Sequence, residues 1–284
     1  MIGTTLLSLA TIFPAQAADS RIVTLDWTVA ETLLALDVVP QGVAQIDAYR
    51  DWVGTPALPP SVMDLGLRAQ PNLELLASLD PAHILITPLF AALESRLSRI
   101  APVTTLGIYA SGDDPWSGML AATRELGELV DRPEAAERLI KTTNAHLAKA
   151  KRHLPENLPP LLLVQFMDAR HVRVFGDRSL YQGVLAHLGL DNAWKRPTNA
   201  YGFSLVGLEA LANLDAHLVV VEPLPVGVET QLNENGLWQN LSAVREQRVS
   251  TLPPVWSFGG LPSARRFATL LVEALTRTER AADA

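Results

Sequence analysis

The sequence predicts an α/β fold of two similar lobes, each built on a mostly parallel sheet, bridged by one long α-helix. Three observations lead there. Residues 72–87 return in near copy at 207–222: Leu73, Glu74, Leu76, Ala77, Leu79, Asp80, Ala82 and His83 are echoed by Leu208, Glu209, Leu211, Ala212, Leu214, Asp215, Ala216 and His217. In each copy, leucines at helical spacing precede an apolar strand-forming run, which reads as a short helix feeding a buried strand. Two copies at this separation indicate two lobes, since an array of short repeats would recur many times. Between them, residues 133–155 place Leu139, Ile140, Thr143, Leu147, Ala150 and Leu154 on one helical face, with Lys141, Lys149, Lys151 and Arg152 elsewhere. Pro155, Pro159 and Pro160 end that helix. A helical connector is stiffer than a flexible linker, so little lobe motion is expected.

In chain order, residues 21–25 read as a strand and 28–37 as a helix, with Val29, Leu33 and Leu36 on one face. A strand at 42–45 follows. Residues 47–60, polar, aromatic and punctuated by proline, read as a loop. After the first repeat copy come a helix at 91–100 and a strand at 103–108, an alternation that implies parallel pairing. Asp113 or Asp114 can cap a helix at 115–129, with Pro115 in its first turn. In the second lobe, strands at 161–166 and 171–175 are joined by a turn, a helix at 180–188 mirrors that at 28–37, and 192–203 is a loop. The second repeat copy, a helix at 236–244, a strand at 247–251, a rigid loop at 253–260 and a closing helix at 263–277 complete the plan.

Composition narrows the function classes. The chain has 284 residues, of which 48% are hydrophobic and 19% charged, as in a globular protein with room for two cores. A net charge of −7 argues against nucleic acid as a partner. There are no cysteines, so neither disulfides nor thiolate metal sites can form. Residues 4–15 are mostly apolar or small, and Ala15-Gln16-Ala17 has the form of a signal-peptidase site, although a basic segment ahead of it is lacking. The expected division is 1–17 as signal peptide, 18–132 as first lobe, 133–155 as connecting helix and 156–284 as second lobe.

No phosphate-binding glycine loop, His-Glu-x-x-His zinc signature or Gly-x-Ser-x-Gly elbow is present, so catalysis finds no support. The histidines are scattered. His83 and His217 open matched strands, where a structural role is expected. Aromatic residues tell more: Trp27, Tyr49, Trp52, Phe90, Trp194, Tyr201, Trp256 and Phe258 fall where strands give way to loops, at corresponding places in both lobes. Ligands of open α/β sheets sit beyond the carboxyl ends of strands, and rigid aromatic loops with few charges suit a bulky, neutral ligand. Each ring could instead fill a gap in the packing. Arg68 brings a rigid fork of donors to the same expected cleft, where it suits oxygen-rich groups; a surface ion pair is the alternative. Glu74 and Glu209 occupy equivalent places, one per lobe, and the helix dipole alone would favour both.

Arg21-Ile22-Val23 through Leu33-Leu34-Ala35-Leu36, Tyr49-Arg50-Asp51-Trp52, Gly66-Leu67-Arg68 and Pro71-Asn72-Leu73-Glu74-Leu75-Leu76 resemble the periplasmic ferric hydroxamate (ferrichrome-type) siderophore-binding proteins. So do Asp168-Ala169-Arg170-His171, Val174-Phe175-Gly176, Asn192-Ala193-Trp194, Thr198-Asn199 and Val255-Trp256. The resemblance implies the helical-backbone type of periplasmic binding protein, a monomer with a shallow cleft. It implies no intrinsic cofactor: the ligand is an iron(III)–siderophore complex, delivered to an inner-membrane ABC permease. By resemblance, Arg68 contacts hydroxamate oxygens; Trp27, Trp52, Trp194, Tyr201 and Trp256 line the cleft with Asn199 nearby; and Glu74 and Glu209 dock on permease arginines. Four positions depart from the family pattern: Phe90 and Phe258 stand for tyrosines, and Ile86 and Tyr201 for tryptophans. A lost buried hydrogen bond is worth roughly 0.5–1.5 kcal/mol, so Phe90 bears on which siderophore is held. The alternatives are a receptor for haem, vitamin B12 or a non-hydroxamate siderophore, and a siderophore-processing enzyme.

Overall fold

The computed structural model describes residues 21–109 and 114–282, so the signal peptide expected at 1–17 and the alternative cap Asp113 lie outside the described residues. The first lobe runs β1 (Ile22–Thr24), α1 (Trp27–Ala35), β2 (Gly42–Val43), α2 (Ile46–Trp52), β3 (Met63–Asp64), β4 (Gly66–Leu67), β5 (Gln70–Pro71), α3 (Leu73–Ser78), β6 (His83–Ile86), a 3₁₀ turn (Pro88–Leu93), α4 (Glu94–Leu97) and β7 (Val103–Thr105). Its sheet has the order β3-β2-β1-β6-β7, and every neighbouring pair is parallel. Helices α5 (Pro115–Leu129) and α6 (Pro133–Lys151) lead to the second lobe. There follow β8 (Leu161–Phe166), β9 (His171–Phe175), α7 (Leu180–Leu188), β10 (Phe203–Gly207), a 3₁₀ turn (Leu208–Leu211), β11 (His217–Val221), α8 (Val228–Glu234), α9 (Gly236–Gln239), α10 (Ser242–Arg245), β12 (Val249–Leu252) and α11 (Leu261–Ala282).

The second sheet repeats the order, β10-β9-β8-β11-β12, but not the directions: β9 runs antiparallel to both of its neighbours. The cause is local. Asp168 Oδ1 accepts from the backbone N–H of Arg170 (2.7 Å) and His171 (2.8 Å), closing a tight turn. So short a connection can join only antiparallel strands, whereas a whole helix, α1, separates β1 from β2. Helix α7 therefore follows the hairpin instead of lying inside it, and the lobes share strand order and the parallel pairing of β8, β11 and β12 but not the direction of β9.

The duplicated stretch holds. Its helical part is α3 in one lobe and a 3₁₀ turn in the other, each leading to the equivalent strand. His83 Nε2 meets Thr104 Oγ1 at 2.7 Å, and His217 Nε2 meets Ser250 Oγ at 2.8 Å, each across to the adjacent strand. Burial, with a smaller push from Arg248, holds His217 down at about 4, so it stays neutral in that strand-to-strand bond.

Residues 46–52 correct the loop expected at 47–60: they form α2. The cap that a sequence reader looks for is absent, since Gln45 adopts a left-handed conformation and makes no side-chain cap. Asp64, on the neighbouring strand, supplies it by accepting from the N–H groups of Gln45 (3.0 Å) and Ile46 (3.1 Å).

The largest apolar cluster belongs to both lobes. It joins Ile22, Val29, Leu33 and Leu85 of the first to Leu163, Phe175, Tyr181, Leu252 and Phe267 of the second, with Leu139, Ile140 and Leu147 of α6 between. Helix α11 packs on α6, α7 and α1, so the lobes are bound by a continuous core as well as by the connecting helix. Separate clusters fill the outer faces of each sheet.

Candidate ligand-binding cleft

The carboxyl ends of β1, β6 and β7 open onto one side of the first lobe. Just past β1, Asp26 caps α1, accepting from Thr28 N–H at 2.7 Å through Oδ1 and from the Thr87 hydroxyl at 2.7 Å through Oδ2. Arg68 sits at the tip of the β4–β5 hairpin. Gly66 starts that hairpin with φ +80°, a conformation that penalises any Cβ, and Asp64 Oδ1 accepts its N–H at 2.9 Å. Arg68 Nε donates to the Leu25 carbonyl at 3.1 Å, which turns the guanidinium inward. There it lies against three rings, 4.3 Å from the centre of Trp27 and 5.1 Å from those of Phe90 and Trp256. Its Nη2 is buried without a hydrogen-bond partner among the described residues, 3.8 Å from Asp26 Oδ2. Burial lowers the pKa of Arg68 and the Asp26 charge works against that lowering.

The second lobe supplies the opposite wall from the loop after β12 and the turn before β10. Thr28 joins it to the first: its hydroxyl donates to the Phe258 carbonyl (2.6 Å) and accepts from Trp256 Nε1 (3.1 Å). Phe258 packs edge-on against Trp256 and Tyr201, with centroids at 5.2 and 5.8 Å. Tyr201 is held there by Gly202, whose φ of +74° and contact with the backbone of Arg178 and Ser179 leave no room for a Cβ. Beneath, Glu31 of α1 crosses to the second lobe, accepting from Gly260 N–H at 2.5 Å and from the Ser263 hydroxyl at 2.6 Å. Burial pushes its pKa up to about 8. The Tyr109 hydroxyl donates to the Gly259 carbonyl at 2.7 Å, and burial raises its pKa well above the usual phenol value.

These parts enclose a cavity of about 450 Å³ between the lobes, lined by Asp26, Arg68, Tyr109, Tyr201, Trp256 and Phe258 among others. A larger, more open groove of about 720 Å³ lies between α6 and α11, lined by His146, Lys149, His153 and Glu273 without any Phe, Tyr or Trp. The inter-lobe cavity has the apolar walls and few converging polar groups that a specific ligand site requires.

Of the residues singled out from sequence, Arg68, Tyr201, Trp256 and Phe258 meet in this cavity, and Trp27 and Phe90 form the buried shelf on which the guanidinium rests. Four stand apart. Tyr49 is fully buried behind Trp27, its hydroxyl donating to the Pro56 carbonyl at 2.6 Å. Trp52 packs half-buried on the same apolar cluster. Trp194 is buried in the outer core of the second lobe. The Asn199 carboxamide is occupied by its own turn, accepting from Tyr201 and Phe203 N–H. The aromatic residues also do not occupy equivalent places in the two lobes. Trp27 and Phe90 follow β1 and β6, but their partners come from before β10 and after β12, because the β8–β9 hairpin alters the route of the chain. Asp26, Thr28, Glu31 and Tyr109 were not singled out; the legible signal was Glu31, a lone charge in the apolar helix Trp-Thr-Val-Ala-Glu-Thr-Leu-Leu-Ala.

An aromatic-walled cleft between two α/β lobes, with Arg68 as the one cation among its described lining residues, defines a receptor for a bulky solute. A family model described as periplasmic binding protein matches residues 22–255, and the chain belongs to that family. It is 35% identical to the iron(3+)-hydroxamate-binding protein FhuD of Escherichia coli, over 92% of this chain and 89% of that protein. It is 28% identical to the Fe(3+) dicitrate-binding periplasmic protein FecB of the same organism, over 90% and 85% of the two chains. Among solved structures, the Fe3+–Desferal-bound siderophore-binding protein FhuD of Vibrio cholerae superposes with a TM-score of 0.86 at 29% identity, covering 92% of this chain and 99% of that one. The family and these relatives are binding proteins, not enzymes.

Proposed function

We propose that the protein captures an iron(III)–hydroxamate siderophore in the inter-lobe cleft, in the periplasm, and hands it to an inner-membrane ABC permease. The observation that carries this reading is Arg68, a buried guanidinium fixed on aromatic faces with donors not used by the chain, opening into an apolar cavity of about 450 Å³. Such a fork suits the negatively polarised oxygens around a ferric ion, and the rings suit the organic shell of the chelate. The iron is cargo inside the siderophore, so no protein ligand to the metal is needed. Phe90 and Phe258 bring no hydroxyl, which leaves Arg68 and Tyr201 as the polar contacts proposed for the ligand, with Trp256 and Phe258 as apolar ones and Trp27 and Phe90 backing the guanidinium.

The test is a tryptophan-fluorescence titration with ferrichrome, ferrioxamine B, haem and vitamin B12. Trp256 lines the cavity and Trp27 touches Arg68, so quenching is expected to saturate on the order of micromolar or tighter for the hydroxamates alone. A response only to haem or vitamin B12 would retain the receptor and overturn the ligand.

Glu74 and Glu209 are both exposed, each in the first turn of the short helix of its lobe, and neither forms an ion pair among the described residues. They are proposed as the permease-docking pair. The double variant Glu74→Ala, Glu209→Ala is expected to abolish siderophore uptake by cells while leaving the titration unchanged; binding lost along with uptake would make both residues structural.

A further inference from the structure

We propose that Thr28 is a positioning residue for ligand capture: its hydroxyl reaches across the lobe boundary and sets the direction in which the Trp256 ring walls the cleft. The proposal rests on the reading of the inter-lobe cavity as the ligand site. Thr28 is 3% exposed, and its place is fixed from several sides. Its N–H donates to Asp26 at the start of α1, and its carbonyl accepts from the Thr32 hydroxyl at 2.7 Å. A β-branched side chain also has little freedom at χ1. The one hydrogen of the hydroxyl goes to the Phe258 carbonyl, and a lone pair accepts the Trp256 Nε1–H. With that hydrogen engaged, Thr28 has no donor left for a ligand, so it acts through the ring it holds.

The main chain of the second-lobe loop is secured without Thr28. The Tyr181 hydroxyl donates to the Val255 carbonyl at 3.0 Å, the Tyr109 hydroxyl donates to that of Gly259, and Gly260 N–H donates to Glu31. None of these bonds reaches the Trp256 side chain. Its ring neighbours are Trp27 at 4.8 Å and Phe258 at 5.2 Å, and the Arg68 guanidinium lies 5.1 Å from its centre. Such contacts fix separation far better than rotation. The bond to Thr28 is the only hydrogen bond of the Trp256 side chain among the described residues, and an indole has no second polar atom. It therefore decides which way the N–H points. Directed at α1, the N–H is engaged inside the protein, and the cavity is offered ring carbon instead of a donor. A wall already held in its binding orientation avoids the entropy cost of ordering it on capture.

Thr28→Val keeps the branched shape and removes the hydroxyl; Thr28→Ser keeps the hydroxyl. Indole N–H signals are followed by nitrogen–proton NMR, that of Trp256 being the one missing from Trp256→Phe, and ferrichrome affinity by fluorescence titration. In the wild type the Trp256 N–H is expected to be hydrogen-bonded and slow to exchange with solvent. In Thr28→Val it is expected to shift and exchange faster, and ferrichrome to bind about threefold to tenfold more weakly. Thr28→Ser is expected to restore the wild-type Trp256 signal and to recover most of the affinity that Thr28→Val loses. A Trp256 signal unchanged in Thr28→Val overturns the role of Thr28, as does a shifted signal with unchanged affinity. So does an equal loss in Thr28→Val and Thr28→Ser, which would place the effect in side-chain shape. The wild type supplies a reading that needs no folded variant of Thr28: a Trp256 N–H exchanging as fast as a free indole removes the bond outright. Failure of the wild type to bind ferrichrome overturns the ligand reading instead, and the Trp256 signal of the unliganded protein is read separately from it.

Discussion

Arg68→Ala is expected to lower the affinity for a ferric hydroxamate by about tenfold to a hundredfold. A hydrogen bond to a charged group contributes about 1.5–3 kcal/mol, and each 1.4 kcal/mol is tenfold in affinity. The truncation also strips the cover from Trp27, Phe90 and Trp256, all within 5.1 Å of the guanidinium. Arg68→Lys is expected to recover only part of the loss, because an ammonium is a point charge that can neither stack as a plane nor donate from a fork. Both variants should also melt at lower temperature than wild type, since Asp26 is left with less compensation for its burial. The fluorescence titration and a thermal melt measure the two effects. Affinity unchanged in Arg68→Ala would remove the residue from the ligand.

Glu31 is expected to make stability depend on pH across the neutral range. Its pKa is raised from 4.5 to about 8, first by burial and then, in the same direction, by the charge of Asp26; the hydrogen bonds from Ser263 and Gly260 oppose the shift. The folded chain thus keeps a proton that the unfolded chain releases above pH 4.5. Between 4.5 and 8 the folded state binds more protons, so this contribution to stability is fully present below pH 4.5, declines as pH rises and is gone above about 8. Glu31→Gln removes the titration. Urea unfolding of both proteins at pH 5, 7 and 9 is expected to show the wild type losing stability relative to the variant as pH rises; a gap that stays constant would mean Glu31 does not titrate there. Because Glu31 holds Gly260, and with it the loop bearing Trp256 and Phe258, wild-type ligand affinity should weaken above pH 8 while that of the variant does not.

The duplicated Leu-x-x-Leu-x-x-Leu pattern and the apolar face of α6 made the lobes and their connection legible, since periodicity reports local structure directly. What lay beyond was decided at long range. Helix α2 hid because its cap, Asp64, lies 18 residues away from the N–H group of Ile46 that it holds. Aromatic residues in proline-rich stretches look alike whether they face a ligand or a core. Tyr49 and Trp194 differ from Trp256 only in what the sheets bring against them. Asp26 carries no local signal, and nothing nearby in the chain shows that Arg68, 42 residues on, lies beside it.

One apolar core runs through both lobes, and Thr28, Glu31 and Tyr109 tie the first to residues 256–263 of the second, so the cleft is braced against wide closure. A cleft so braced is expected to load with no slow closure step, so that differences in affinity among ligands fall mainly on the rate of release. Empty and filled forms then offer a partner nearly the same outer face.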